Sequence, residues 1–208
     1  GTARCTGTMI YDEPGSFTPY LFSANHCFET AYEAFTLNVW WFFDATACGS
    51  PTTPGDYVVQ TGGAALLGRS QDWDWALLRL NTMPPAGVYF SGWNAATVGS
   101  GVGVESYHHP SGDLKKWSQG TLTDFGFFGD LGAYGNFNQV TWTAGTTEGG
   151  SSGGALFTFL QGAGYYEVRG GLLGGGASCA NPTFPDYYSD LGEALPVLRQ
   201  YLTPNASN

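Results

Sequence analysis

Three side chains in this 208-residue chain have the types needed for acyl transfer. Ser152 lies in T-E-G-G-S-S-G-G-A-L at 147 to 156, a serine among glycines ahead of an apolar run. A serine hydroxyl is a poor nucleophile at neutral pH. It needs an imidazole to take its proton, and the imidazole needs a carboxylate to hold its tautomer. His26, near the end of L-F-S-A-N-H-C at 21 to 27, and Asp74, at the head of D-W-A-L-L-R-L at 74 to 80, supply those parts. Asp72 competes with Asp74, but Asp74 directly precedes the apolar run. The glycines at 149, 150, 153 and 154 free the backbone of Cβ clashes, so the N–H groups of Gly150 and Ser152 can turn toward one point as an oxyanion hole. The chain order is His, Asp, Ser, which separates it from hydrolases running Ser, Asp, His around a G-x-S-x-G elbow.

Such residues must be positioned by a scaffold, and composition points to short strands joined by tight turns: 32 glycines, 11 prolines and 16% aromatic residues. A chain of this length can be one domain with a substantial core or two small barrels packed together. Strands are expected near 5–11, 20–23, 36–43, 75–80, 101–107, 138–143, 155–160 and 167–173. One helix is expected, over 189–202, where Leu191, Leu195, Leu198 and Leu202 recur at helical spacing despite Pro196. The class is all-β.

The formal net charge of −10, with Lys115 and Lys116 as the only lysines and five arginines, argues against a nucleic-acid or anionic-membrane partner. No uninterrupted apolar stretch of about 18 residues suits a membrane span. The chain shows no signal peptide, and Gly1 reads as the start of a processed or trimmed chain. Four cysteines at spacings unlike a zinc site suggest disulfides and secretion, with three pairings open. No metal or other cofactor is called for. His108 and His109, before Pro110 at a strand end, are expected to be structural. The Asn205-Ala-Ser sequon lies on a terminal tail.

The segments C-T-G-T-M-I at 5 to 10, S-A-N-H-C at 23 to 27, D-W-A-L-L-R-L at 74 to 80, G-W-N at 92 to 94, Y-H-H-P at 107 to 110 and T-E-G-G-S-S-G-G at 147 to 154 together resemble a chymotrypsin-fold serine endopeptidase of the bacterial lysyl endopeptidase branch. The resemblance covers most of the chain. It implies a single domain over 1–208, with two six-stranded antiparallel β-barrels, roughly 1–95 and 96–190, a triad of His26, Asp74 and Ser152 in the cleft between them, and a C-terminal helix. It implies protein or peptide substrates, and a Cys5–Cys27 disulfide, closing a loop of about 20 residues and contributing about 3 kcal/mol by loop entropy. The relatives of Cys48 and Cys179 bond to an N-terminal segment this chain lacks. Two states therefore stay open: a cleaved N-terminal peptide held through Cys48 and Cys179, which is the expected one, or a bond between the two.

The resemblance also sets expectations for substrate choice and for the loop. Animal trypsins carry a pocket acid six positions before the serine, here the uncharged Thr146, whereas the lysyl branch uses an aspartate near the C-terminus, matched by Asp186 in D-Y-Y-S-D-L. A desolvated carboxylate there favours cleavage after Lys or Arg. Gly174 and Gly175, in G-L-L-G-G-G, are the expected strand-like contacts to the substrate backbone. Leu173 stands where the branch has a histidine. Ser151 stands where animal trypsins have the aspartate that pairs with a newly cut N-terminal amine, so activation by insertion of Gly1 is not expected.

Overall fold

The computed structural model describes residues 5–53 and 55–204. Along the chain run β1 (Thr8–Ile10), β2 (Tyr20–Ser23), the short helix α1 (Ala31–Phe35), β3 (Val39–Trp41), β4 (Val58–Gln60), β5 (Ala64–Ser70) and β6 (Trp75–Leu80). There follow β7 (Gly92–Trp93), β8 (Gly103–His108), β9 (Lys116–Asp130), β10 (Ala133–Ala144), β11 (Ala155–Leu160), β12 (Tyr165–Gly175), β13 (Asp186–Tyr188) and α2 (Leu191–Leu202). The protein is mainly β with a C-terminal helix. No described helix is long and apolar enough to cross a membrane.

Strands β11, β8, β9, β10, β13 and β12 pair in that order, and β11 also pairs with β12, so six strands form a closed ring. The six earlier strands divide. Four form an antiparallel sheet in the order β1-β2-β6-β5, while β3 and β4 pair only with each other. Helix α1 sits at the edge that would join them. A Cβ at Gly63, just before β5, would lie 2.1 Å from the Phe35 carbonyl oxygen, so the backbones touch there and single hydrogen bonds, Gly63 N–H to Leu37 O among them, replace a ladder.

The strand faces explain why Y-L-F-S and W-A-L-L-R-L read as nearly unbroken apolar runs. Side chains alternate across a strand. Leu21, Ala76, Leu78 and Leu80 face a core shared with Met9, Phe28, Ala34 and Trp41. Tyr20, Phe22, Trp75 and Leu77 face the other way, onto Ala155, Phe157 and Val168 of the ring and Leu191, Ala194, Leu198 and Leu202 of α2. The sheet is covered on both faces, and the second face joins the two groups of strands.

Helix α2 starts at Leu191, two residues later than the sequence suggests. Asp190 is its N-cap, accepting from the Gly192 N–H at 2.7 Å, while Ser189 is buried and bonded to Gly171. The buried stripe is Leu191, Ala194, Leu198 and Leu202. Leu195 is only partly buried, and Pro196 lies on the exposed face. Helix α1 escapes a periodicity search because it is five residues long, but its capping box is legible: the Thr30 side chain accepts from the helix backbone while Glu33 reaches back to the Thr30 N–H. The β9–β10 hairpin turns on Leu131 (φ +49°) and Gly132 (φ +81°), two successive left-handed residues that match the twist of a tight hairpin.

The two groups of strands come into close contact at Gly153. With φ +80°, a Cβ there would lie 2.1 Å from Ser23 Oγ and 2.5 Å from the Thr6 carbonyl oxygen. Left-handed strain and overpacking together should make Gly153→Ala about 2–5 kcal/mol less stable. Gly149→Ala, with nothing within 4 Å of the added methyl, should be close to neutral. Thermal unfolding of the two variants checks this.

Candidate active site

Ser23 of β2 pairs with Ala76 of β6, so the chain leaving β2 and the chain entering β6 emerge side by side. His26 sits in the 3-10 turn Asn25–Cys27, and Asp74 immediately precedes β6 with φ +45°. The Asp74 carboxylate is 1% exposed. Its Oδ1 accepts the His26 backbone N–H at 2.8 Å, and its Oδ2 lies 2.8 Å from His26 Nδ1. An ionised carboxylate only accepts, so the ring proton belongs on Nδ1 and the Nε2 lone pair is left free. Asp72 is exposed, and its carbonyl is held by the Tyr134 N–H. It has no part in this clamp.

The loop between β10 and β11 carries Ser152. Thr6, next to the bridged Cys5, donates its N–H to the Ser152 carbonyl at 2.8 Å and its hydroxyl to the Gly150 carbonyl at 3.0 Å. The Cys5–Cys27 disulfide is formed, and the two sulfurs and a His26 ring nitrogen lie within 4.8 Å of one another. The strand that holds Ser152 is thus covalently tied to the residue after His26. Gly150 has φ +95°, a left-handed conformation glycine adopts without strain. Neither its N–H nor that of Ser152 donates to any described group, and the Ser152 hydroxyl is likewise without a described partner. Two amides flanking a candidate nucleophile are left available. Thr6 escapes sequence reading because a threonine after a cysteine carries no chemical signal.

Asp186 opens β13 opposite Gly175 of β12 and is fully buried. Its Oδ2 accepts from Trp142 Nε1 at 2.7 Å and from Thr147 Oγ1 at 2.6 Å. Burial pushes its pKa up, while Thr147, Trp142 and the nearby Ala177 backbone pull it down. No full hydrogen bond reaches the buried Oδ1 among the described residues. A Cβ at Gly175 would come within 2.6 Å of that oxygen, so the glycine keeps the space beside it open. Beyond Leu172, which exchanges bonds with Gly153 and Gly154, the same edge of β12 continues through Gly174 and Gly175 past the end of β11. Thr146, at the trypsin position, makes no hydrogen bond to the Asp186 carboxylate. Its neighbour Thr147 makes the bond instead, a residue that sequence reading passed over.

Leu173 is buried beside Phe137 and Ala133, so the position of the branch's histidine is here a core position. His108 is fully buried, with Nδ1 2.7 Å from Ser151 Oγ and Nε2 3.0 Å from Ser118 Oγ, and burial lowers its pKa to about 4. His109 stacks near Phe43 and places Nδ1 3.0 Å from the Asp113 carbonyl. Cys48 and Cys179 are exposed thiols, not joined to each other. Among the described residues the one cluster of potential metal ligands is Cys5, His26 and Cys27, whose sulfurs are already joined to each other.

Comparison with known proteins agrees with this architecture. Solved structures with the same fold include an HtrA-type protease with a bound tripeptide, at TM-score 0.63 and 18% identity, covering 96% of this chain and 56% of that one. The active form of a protease from M. tuberculosis aligns at TM-score 0.58 and 17% identity over 98% of this chain and 74% of the other. Cellulomonas bogoriensis chymotrypsin aligns at 0.53 and 20% over 94% and 88%. At these identities the likeness is one of fold. A lysyl endopeptidase of Pseudomonas aeruginosa is 38% identical over 208 residues, covering 98% of this chain; the chain spans only 44% of that relative's length. The family model for the lysyl endopeptidase C-terminal domain matches residues 1–189. With that match along nearly the whole β architecture, the chain belongs to the lysyl endopeptidase family.

Proposed function

We propose that the chain is a serine endopeptidase domain that hydrolyses peptide bonds through an acyl-enzyme, with Ser152 as nucleophile, His26 as general base and acid, and Asp74 as the group that orients His26. The observation that carries this is the clamp on His26: both oxygens of a buried carboxylate bind one histidine, through its ring and through its backbone. That arrangement directs Nε2 away from Asp74 as a proton acceptor. His26 takes the Ser152 proton as the hydroxyl attacks, then protonates the leaving amine, and water repeats the cycle. The free Gly150 and Ser152 amides stabilise the oxyanion, each donor being worth about 3 kcal/mol in the transition state.

Asp186 is the proposed selector for a basic side chain, with Gly174 and Gly175 binding the substrate backbone as an added strand. Trp142 and Thr147 already occupy one carboxylate oxygen, leaving a single acceptor, Oδ1. A lysine ammonium is a compact charge that one oxygen can receive, whereas a guanidinium fork gains most from two. We therefore propose lysine over arginine, in keeping with the relative's name. The disulfide supports a secreted, extracellular protein. The two exposed thiols, Cys48 and Cys179, are the proposed anchors for a cleaved N-terminal peptide.

Ser152→Ala should lower kcat on the order of 10⁶-fold and abolish fluorophosphonate labelling with the fold intact, measured by hydrolysis of a lysyl peptide and by circular dichroism. Full activity in that variant would remove the assignment. Profiling a peptide library should show cleavage after lysine, reduced at least about 10²-fold in kcat/KM by Asp186→Asn, since a neutral amide leaves the ammonium without a counter-charge. An unchanged basic preference would exclude Asp186 as the selector.

A further inference from the structure

Ser151 cannot make the ion pair with a new N-terminus that holds this loop in animal trypsins, yet it is fully buried and so must be anchored otherwise. Hydrogen-bond directions around it can be assigned by elimination. Ser118 Oγ donates to the Thr146 carbonyl at 3.0 Å, so it accepts from His108 Nε2–H. A neutral ring protonated on Nε2 has its lone pair on Nδ1, so Ser151 Oγ–H donates to His108. Ser151 Oγ then accepts the Glu148 N–H at 3.2 Å. The relay runs unbroken from Glu148 through Ser151, His108 and Ser118 to Thr146, with all three side chains fully buried. It starts and ends on the loop that precedes Ser152.

We propose that His108 is a positioning residue for the oxyanion site: from the rigid end of β8 it receives the Ser151 hydroxyl and, through Ser118, fixes Thr146, holding the 146–152 loop with the Gly150 and Ser152 amides convergent. This rests on the serine endopeptidase function proposed above. The geometry requires an uncharged ring, because an imidazolium would present two donors and could not accept from Ser151. The low pKa, set first by burial and second by repulsion from His109, supplies that state. The other charges nearby, Lys115, Asp44 and Asp113, face His109 rather than His108, and the Glu148 carboxylate points to Ser111 and Cys179.

Three variants decide it. Ser151→Ala removes the donor, His108→Phe fills the site without hydrogen-bonding atoms, and His108→Asn restores an acceptor near the Nδ1 position. With active sites counted by fluorophosphonate titration, Ser151→Ala and His108→Phe should lower kcat by at least about tenfold, short of the roughly 10²–10³-fold that follows loss of an oxyanion donor. KM should stay within about twofold. The Ki of a peptidyl boronate, whose tetrahedral adduct uses the same amides, should rise with the fall in kcat. His108→Asn should recover most of both, and Ser151→Ala combined with His108→Phe should lose no more than the worse single variant. If His108→Phe does not fold, Ser151→Ala and His108→Asn carry the test.

There is a pH signature as well. The folded pKa of about 4 lies below the ordinary 6.5, so between those values the unfolded chain binds more protons and stability falls as pH falls. The wild type should lose Tm over this window relative to His108→Asn, with no further relative loss below about pH 4. A Ser151→Ala enzyme with kcat and boronate Ki near wild type overturns the proposal. A loss confined to KM or to stability does so equally. A wild type that neither labels nor hydrolyses peptides would instead remove the function beneath it.

Discussion

Everything in the candidate site depends on one backbone contact, the approach of the Ser152 loop to the β1–β2 region at Gly153. Thr6 and Ser23 occupy the volume a side chain at 153 would need, and the same Thr6 binds the carbonyls of Gly150 and Ser152. Those bonds commit both carbonyls to Thr6, while the N–H groups of Gly150 and Ser152 donate to no described group. The Cys5–Cys27 bridge makes the contact covalent on the histidine side. Ser152 and His26, the proposed nucleophile and base, therefore come from segments far apart in sequence, yet are registered by residues one or two positions from each.

The surrounding architecture keeps that contact rigid. Each apolar residue of β2 and β6 is committed to one of two cores, one within the first group of strands and one against the ring and α2. A one-residue slip in β6 would exchange the two apolar sets and move Asp74 away from His26. Asp74 holds a left-handed conformation uncommon for an aspartate, and the two bonds to His26 help keep it there.

What was legible in the sequence follows from the range of the interactions. His26, Asp74 and Ser152 each lie beside a distinctive local run, and β2, β6 and β11 are apolar enough to be bounded without structure. The long strand β9 was not visible, because glycine, aspartate and serine dilute its pattern and its stability comes from pairing with β10 and β8. Nor were the bonds from Trp142 and Thr147 to Asp186, or from His108 to Ser151, which join residues about forty positions apart and leave no local trace. Sequence suggested that Asp186 and the histidine pair mattered structurally or functionally; only the fold shows what each one touches. The helix start was misread by two residues because Ser189 and Asp190 are both N-cap types, and it is Asp190 that caps α2 while Ser189 bonds the Gly171 backbone.

The account stands on the convergence of Ser152, His26 and the two free amides on one reacting carbon. A crystal structure of the protein inactivated by a peptidyl fluorophosphonate tests this directly. The account predicts a covalent bond from Ser152 Oγ to phosphorus, a phosphoryl oxygen about 2.7–3.1 Å from the amide nitrogens of Gly150 and Ser152, and His26 Nε2 facing the leaving-group side. A label on another residue, or a phosphoryl oxygen turned away from both amides, would contradict it.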